Sequence, residues 1–414
     1  MNMYKISLVN YIRDKAIFKL YIFAFFILFF QSIHVWFLWG DFFKITCPLF
    51  FVAISYVNRK NNSLLYDKKH YHHIYIILFL ISFLALRGSY DAGILSICKS
   101  LIGLLALYDL LILSQPVCVY IIRILTKIFS IISAISLAGW ILFLLGVPLP
   151  HSNIMDPEYG YSFYNYYIFL YDYHLTLPRF CSIYLEPGYY GQLAVLILFA
   201  NKMRINKITS VIFIGVLFSL SLAGYALIAI GFIFKYLGKK HIWYIIFLFI
   251  TGYVFVSSVR QYNGGDNVIN LLILERMGFE NGKMSGYNRT GDDFDRYMDT
   301  KFMQNGTFIL GHGSDFEKMK WEHGVAGYKV YIAQNGYIGL ILAIFAYCLT
   351  LTRLTKTNRE MRLYFILFMI VYWQAAYPFW FCYFALYVTG LAYLRTDDYD
   401  RKKKANYLCL HSYA

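Results

Sequence analysis

Charge is scarce in this chain: Asp, Glu, Lys and Arg make up 15% of its 414 residues, against 59% hydrophobic and 20% aromatic. A soluble domain carries about a quarter of its residues charged, so the scarcity argues against an ordinary water-soluble fold. Also missing is any polar linker of the kind that separates soluble domains. Apolar blocks are broken only by short basic stretches, and residues 1–414 read as one integral membrane domain. Seven cysteines are present without a C-x-x-C pair. Cys47, Cys98, Cys118, Cys348 and Cys382 lie in or beside apolar blocks, which excludes a disulfide framework. There is no Walker loop, H-E-x-x-H motif, G-x-S-x-G elbow or cluster of metal ligands, so a nucleotide-driven pump and a metalloprotease are set aside, and neither metal nor cofactor is expected.

What charge there is has an address. The formal net charge is +15, and 25 of the 38 Lys and Arg residues sit in clusters between apolar blocks, from Lys5–Lys19 to Arg395–Lys404. Basic residues flanking apolar runs mark cytoplasmic loops, so the excess reports topology and no nucleic-acid partner is expected. Crossing a bilayer takes about 20 apolar residues. Candidate spans are 18–38, 42–58, 72–88, 92–113, 124–148, 188–201, 207–236, 241–258, 331–350 and 362–394. The first lacks a small-residue cleavage site after it and reads as an uncleaved span.

Blocks 207–236 and 362–394 would form helices of about 45 Å, too long for one straight crossing. Basic clusters at both ends of each require an even number of crossings, so each is expected to bend into two short spans, at Ser219–Gly224 and near Ala376–Phe379. The expected fold is therefore all-α, a polytopic transmembrane helix bundle of about twelve spans with N- and C-termini cytoplasmic. Two segments, 149–187 and 259–330, become large external loops. The first is rich in tyrosine (Tyr159, Tyr161, Tyr164, Tyr166, Tyr167, Tyr171, Tyr173), which suits an interface belt or the packing of carbohydrate rings. In the second, Val268, Ile269, Leu272 and Leu274 suggest a surface helix, and Phe294, Tyr297, Met298 and Phe302 repeat at helical spacing.

Two stretches could carry chemistry. Arg179 leads into Glu186-Pro187-Gly188, where Pro187 suits a first helical position and Glu186 its cap; the helix N-terminus there would present N–H groups to a diphosphate. In the large loop stand Asn288, Arg289, Gly311-His312-Gly313 and His323. His312 and His323 are each able to serve as general base near neutral pH, and arginine binds phosphate oxygens bidentately. Lys99, inside a span, must face the bundle interior or snorkel outward, and Asp109 is too far along the helix to pair with it. Asp293-Phe294-Asp295 looks like the metal-nucleotide motif of some sugar transferases but falls on the external side, where nucleotide sugars are absent.

With these residues in place, the chain resembles the Wzy-type O-antigen and surface polysaccharide polymerases, relatives of the O-antigen ligases. The resemblance rests on the span architecture and three local signatures: Arg179 with Glu186-Pro187-Gly188; Ser219, Ser221 and Gly224 at the junction of paired short spans; and Gly311-His312-Gly313 followed by Asn335-Gly336-Tyr337-Ile338-Gly339-Leu340. Gln334-Asn335 stands where ligases carry His-Asn, which favours polymerase over ligase. The resemblance implies metal-free glycosyl transfer between undecaprenyl-diphosphate-linked oligosaccharides at the periplasmic face of the bacterial inner membrane, with the lipid bilayer and a chain-length regulator as partners. It also implies Arg179 and Arg289 as diphosphate ligands, Glu186 as either the base or the residue that orients Arg179, and His312 and His323 as alternative bases. Competing readings are an O-antigen ligase and a lipid-linked oligosaccharide flippase or other transporter, whose polar sites belong at mid-membrane. A membrane O-acyltransferase would need a buried histidine, and no histidine lies clearly within a span except His34, near an outer end.

Overall fold

The computed structural model describes residues 16–395 except 62–65, 67–70, 90–93, 158–159, 173–177, 237–241, 268–269, 271–273, 276–278, 281–282, 285–290, 305, 322–326, 353–356 and 375–377. The described residues are mostly helical, as an all-α fold requires. In chain order the helices are α1 (Ala16–Ser32), α2 (Asp41–Asn61), α3 (Tyr71–Ser89), α4 (Ile94–Leu111), α5 (Gln115–Leu144), α6 (Pro187–Ala200), α7 (Lys207–Phe218), α8 (Leu222–Tyr236) and α9 (Ile242–Gln261). After them come α10 (Asp292–Tyr297), the short α11 (Thr307–Leu310), α12 (Tyr328–Thr352), α13 (Arg359–Gln374) and α14 (381–395). They gather into two compact units. One is built from 1–128, 293–321 and 326–414, the other from 129–292 and 322–325, and α5 contributes to both.

Two of these helices, α5 and α12, are long and apolar enough to cross a membrane. Their apolar surface is not confined to the interior: Ile131, Ile135 and Leu142 of α5 and Ile341, Ile344 and Phe345 of α12 are exposed. On α3, Tyr75, Ile76, Phe79 and Phe83 form an exposed stripe at helical spacing. Contiguous apolar surface of this kind calls for a cover other than water.

Local chemistry sets the helix ends. Asn206 caps α7 with a full capping box, its Oδ1 accepting from the amides of Ile208 at 2.9 Å and Thr209 at 3.1 Å while Thr209 Oγ1 accepts from the Asn206 amide. Pro187 occupies the first turn of α6. The expected bend in 207–236 is present: α7 ends at Phe218, Leu220 has φ 47°, and α8 begins at Leu222. The second block is also divided, with α13 ending at Gln374, a turn at Pro378–Phe379 and helix from 381; Ala376 lies outside the described residues.

The tyrosine-rich loop contains a small antiparallel sheet that its composition did not disclose: β1 (Ser152–Met155), β2 (Ser162–Asn165) and β3 (Leu170–Tyr171), in that order. Phe163 and Asn165 point inward. Tyr164 and Tyr171, opposite each other in the register, stack on the outer side with ring centroids 6.3 Å apart. In the large loop the helical spacing of 294–302 is realised in α10 and the turn that continues it. Of the proposed surface helix, Val268, Ile269 and Leu272 lie outside the described residues, and Leu274 is buried. Lys99 is half-exposed, its Nζ 3.7 Å from the exposed carboxylate of Asp41, while buried Asp109 pairs with Arg59 at 3.2 Å. No disulfide joins the cysteines among the described residues.

Candidate functional site

In the unit that contains α6 to α9, the polypeptide enters α6 through Arg179–Glu186. The Arg179 guanidinium reaches the interrupted helix α7–α8: Nε donates to Ser219 O at 3.3 Å and Nη2 to Leu220 O at 3.0 Å. These carbonyls belong to the end of α7, where backbone acceptors have no helical partner and the dipole is negative, so a cation is the fitting donor. Serines complete the turn. Ser219 Oγ donates to Val216 O at 2.7 Å, and Ser221 Oγ accepts from the Gly224 amide at 3.3 Å. The hairpin lies close against α6, and a Cβ on Gly191 would sit 3.1 Å from that of Ser221.

Glu186 is the N-cap residue of α6 by backbone geometry (φ −131°, ψ 146°), yet its side chain makes no capping hydrogen bond. This corrects the expectation that its carboxylate caps the helix. The carboxylate remains partly exposed beside Gly188, its Oε2 3.9 Å from where a Cβ there would stand.

In the other unit, the Gly311-His312-Gly313 run is seated on an interruption in α12. Gly336 leaves the helical conformation (φ 69°, ψ 178°), and Gly311 also has positive φ (71°). The two backbones are in direct apposition. A Cβ on Gly336 would lie 2.2 Å from Ile309 O, and one on Gly311 would lie 2.4 Å from Gln334 O, so both positions require glycine on grounds of conformation and of space. The His312 amide donates to Ala333 O at 2.8 Å, which satisfies one acceptor freed by the break. Thus two segments that the sequence names separately, Gly311–Gly313 and Asn335–Gly336, are one structural feature.

Around His312 stands an aromatic enclosure. Phe302 and Tyr297 each lie 6.0 Å from its ring by centroid, and Trp321 lies 5.1 Å from Tyr297 and 4.8 Å from buried Phe294. The Tyr297 hydroxyl hydrogen-bonds His312 Nε2. Burial pushes the Tyr297 phenol up from its ordinary pKa, and burial also holds the His312 imidazole below its ordinary value against the pull of Asp315. Both shifts favour the uncharged forms, a phenol and a neutral imidazole. Buried Asp295 pairs with Lys329 at 2.6 Å, so this member of Asp293-Phe294-Asp295 serves an ion pair at the start of α12.

The structure brings Arg179 to the α7–α8 break in one unit and His312 to the α12 break in the other. Arg289 and His323 lie outside the described residues. Tyr297 and Trp321 were not recognised as site residues, because Tyr297 reads as one apolar member of a helical stripe and nothing at 15 residues' remove links it to His312. No protein-family model matches the chain, and no curated protein or solved structure matches it.

Proposed function

We propose that this protein is a glycosyltransferase of the bacterial inner membrane that polymerises undecaprenyl-diphosphate-linked oligosaccharide repeat units into O-antigen or a related surface polysaccharide. In this reading the helices make about twelve crossings, both termini are cytoplasmic and the reaction occurs at the periplasmic face. The observation that carries it is the seating of Gly311-His312-Gly313 on the break at Asn335-Gly336. Two elements of the family resemblance thereby become one structure that holds a neutral, half-buried imidazole beside a hydroxyl.

The chemistry asks for little else from the protein. A hydroxyl of the acceptor repeat unit attacks the anomeric carbon of the donor chain, and undecaprenyl diphosphate departs. Cations must take the diphosphate charge and a base must take the hydroxyl proton. Arg179, oriented by the two carbonyls it holds, and Arg289 are assigned to the diphosphate, since guanidinium stays charged and matches phosphate geometry. His312 is assigned to the proton, with Glu186 and His323 as the alternatives; Glu186 earns its place because its carboxylate is not engaged in capping. A chain-length regulator is the proposed protein partner.

The test is a gel profile of surface lipopolysaccharide from the native host with the gene deleted and then restored. Core bearing a single repeat unit, with the ladder returning on complementation, is the expected result. Loss of every repeat unit from the core would replace this reading by a ligase or a flippase. Lipid-linked units stranded on the cytoplasmic face would single out the flippase.

A further inference from the structure

His312 Nε2 is already met by the Tyr297 hydroxyl, and the ring is held between Tyr297 and Phe302. Its backbone is pinned to Ala333 O, between two glycines at positive φ. An acceptor sugar reaching Nε2 would have to displace Tyr297. Tyr297 itself is only half-buried, on the last turn of α10.

We propose that Tyr297 is the catalytic residue that touches the acceptor hydroxyl, and that His312 is the positioning residue behind it that stores the proton. This inference rests on the glycosyl-transfer reading above. The Tyr297 O–H donates to His312 Nε2. As the acceptor oxygen bonds to the anomeric carbon, its proton passes to the Tyr297 oxygen while the Tyr297 proton passes to Nε2. The bond between the anomeric carbon and the diphosphate oxygen breaks, its electron pair leaving on the diphosphate. The imidazolium then returns its proton to water.

Each part of the surroundings suits this relay. The rings of Phe294, Phe302, Phe316 and Trp321 pack around the pair, and a phenol held neutral is a donor until the hydroxyl arrives. Asp315, three residues on in the turn that follows, is the charge that favours the imidazolium. Among the described residues at this end of α12, Asp295 and Lys329 form an ion pair whose two charges offset each other. The aromatic rings also give a sugar a stacking surface at the hydroxyl.

The experiment compares Tyr297→Phe, His312→Gln and the double variant of the full chain, first by complementation of the deletion strain. It continues in nanodiscs, with the lipid-linked repeat units that accumulate in that strain as substrate. Tyr297→Phe keeps the ring and its packing, so membrane level and melting temperature should stay near wild type. The relay predicts a fall in turnover of about 100-fold or more for each single variant, with KM little changed, and a double variant no slower than either single. The wild-type rate should decline at acid pH as His312 protonates, and that limb should vanish in His312→Gln. Tyr297→Phe turning over within about threefold of wild type, while His312→Gln is inactive, would overturn the proposal and make His312 the direct base. Multiplying effects in the double variant would also overturn it. A deletion strain with a full polymer ladder overturns the polymerase reading first and this inference with it, which separates the two failures.

Discussion

Two of the helix interruptions among the described residues, between α7 and α8 and at Gly336 of α12, are held open by different means. Between α7 and α8 the freed carbonyls of Ser219 and Leu220 are met by a side chain, the guanidinium of Arg179, from 40 and 41 residues earlier. In α12 the break at Gly336 is met by another stretch of backbone, the Ile309–His312 segment, through contacts that leave no space for a Cβ on either side. A break closed by a cation tolerates adjustment, because a long side chain can shift and water or another donor can replace it in part. A break closed by backbone apposition does not. His312, to which the proposed function gives the proton, sits on the second kind, where the flanking glycines and the bond to Ala333 O hold its backbone.

The sharpest way to break this contrast is at the glycines. Gly336→Ala or Gly311→Ala places a methyl group under 2.5 Å from facing backbone at positive φ. The cost is strain of about 1–3 kcal/mol, with overpacking of similar size added. Either variant should fail to accumulate, or melt well below wild type in detergent, and a normal melting curve would refute the backbone apposition. Arg179→Met removes the charged donor at the other break and should cost about 2 kcal/mol, less than a buried ion would because the group is partly exposed. Arg179→Lys should recover part of that stability but little of the turnover if a fixed guanidinium serves the diphosphate. Asn206→Ala, at the opposite end of α7, should cost about 1 kcal/mol through the lost cap and leave both breaks intact.

The smallest expected effect is one of pH. Because the folded protein holds the His312 pKa below its ordinary value, the unfolded chain binds the proton more readily. Stability should therefore be complete above the usual histidine range and decline as pH falls through that range toward the folded value. Melting curves from pH 7.5 downward should show the decline in wild type and less of it in His312→Gln. Identical slopes would mean that the imidazole is not held neutral by its enclosure.

Much of this was legible in the sequence, for reasons that are physical. Apolar runs outline the helices, and the excess length of block 207–236 called for a bend, expected at Ser219–Gly224, where the break does fall. Gly311–Gly313 and Asn335–Gly336 were visible as unusual segments. Their meeting was not, since backbone apposition carries no side-chain signature beyond glycine itself. Arg179 read as a phosphate ligand or an interface cation, because its carbonyl acceptors are anonymous in sequence. The sheet at 152–171 stayed hidden behind tyrosine content that suits a membrane interface equally well, and the alternation in β2 covers only four residues. The contact of Tyr297 with His312 needed the fold.

The contrast between the two breaks is tested most directly by amide hydrogen exchange on the full chain in nanodiscs, wild type against Arg179→Met. The account predicts faster exchange at Ser219, Ser221 and Gly224 in the variant, with the His312 amide as slow as in wild type. Unchanged exchange at Ser219–Gly224, or a His312 amide that exchanges freely in wild type, would contradict it.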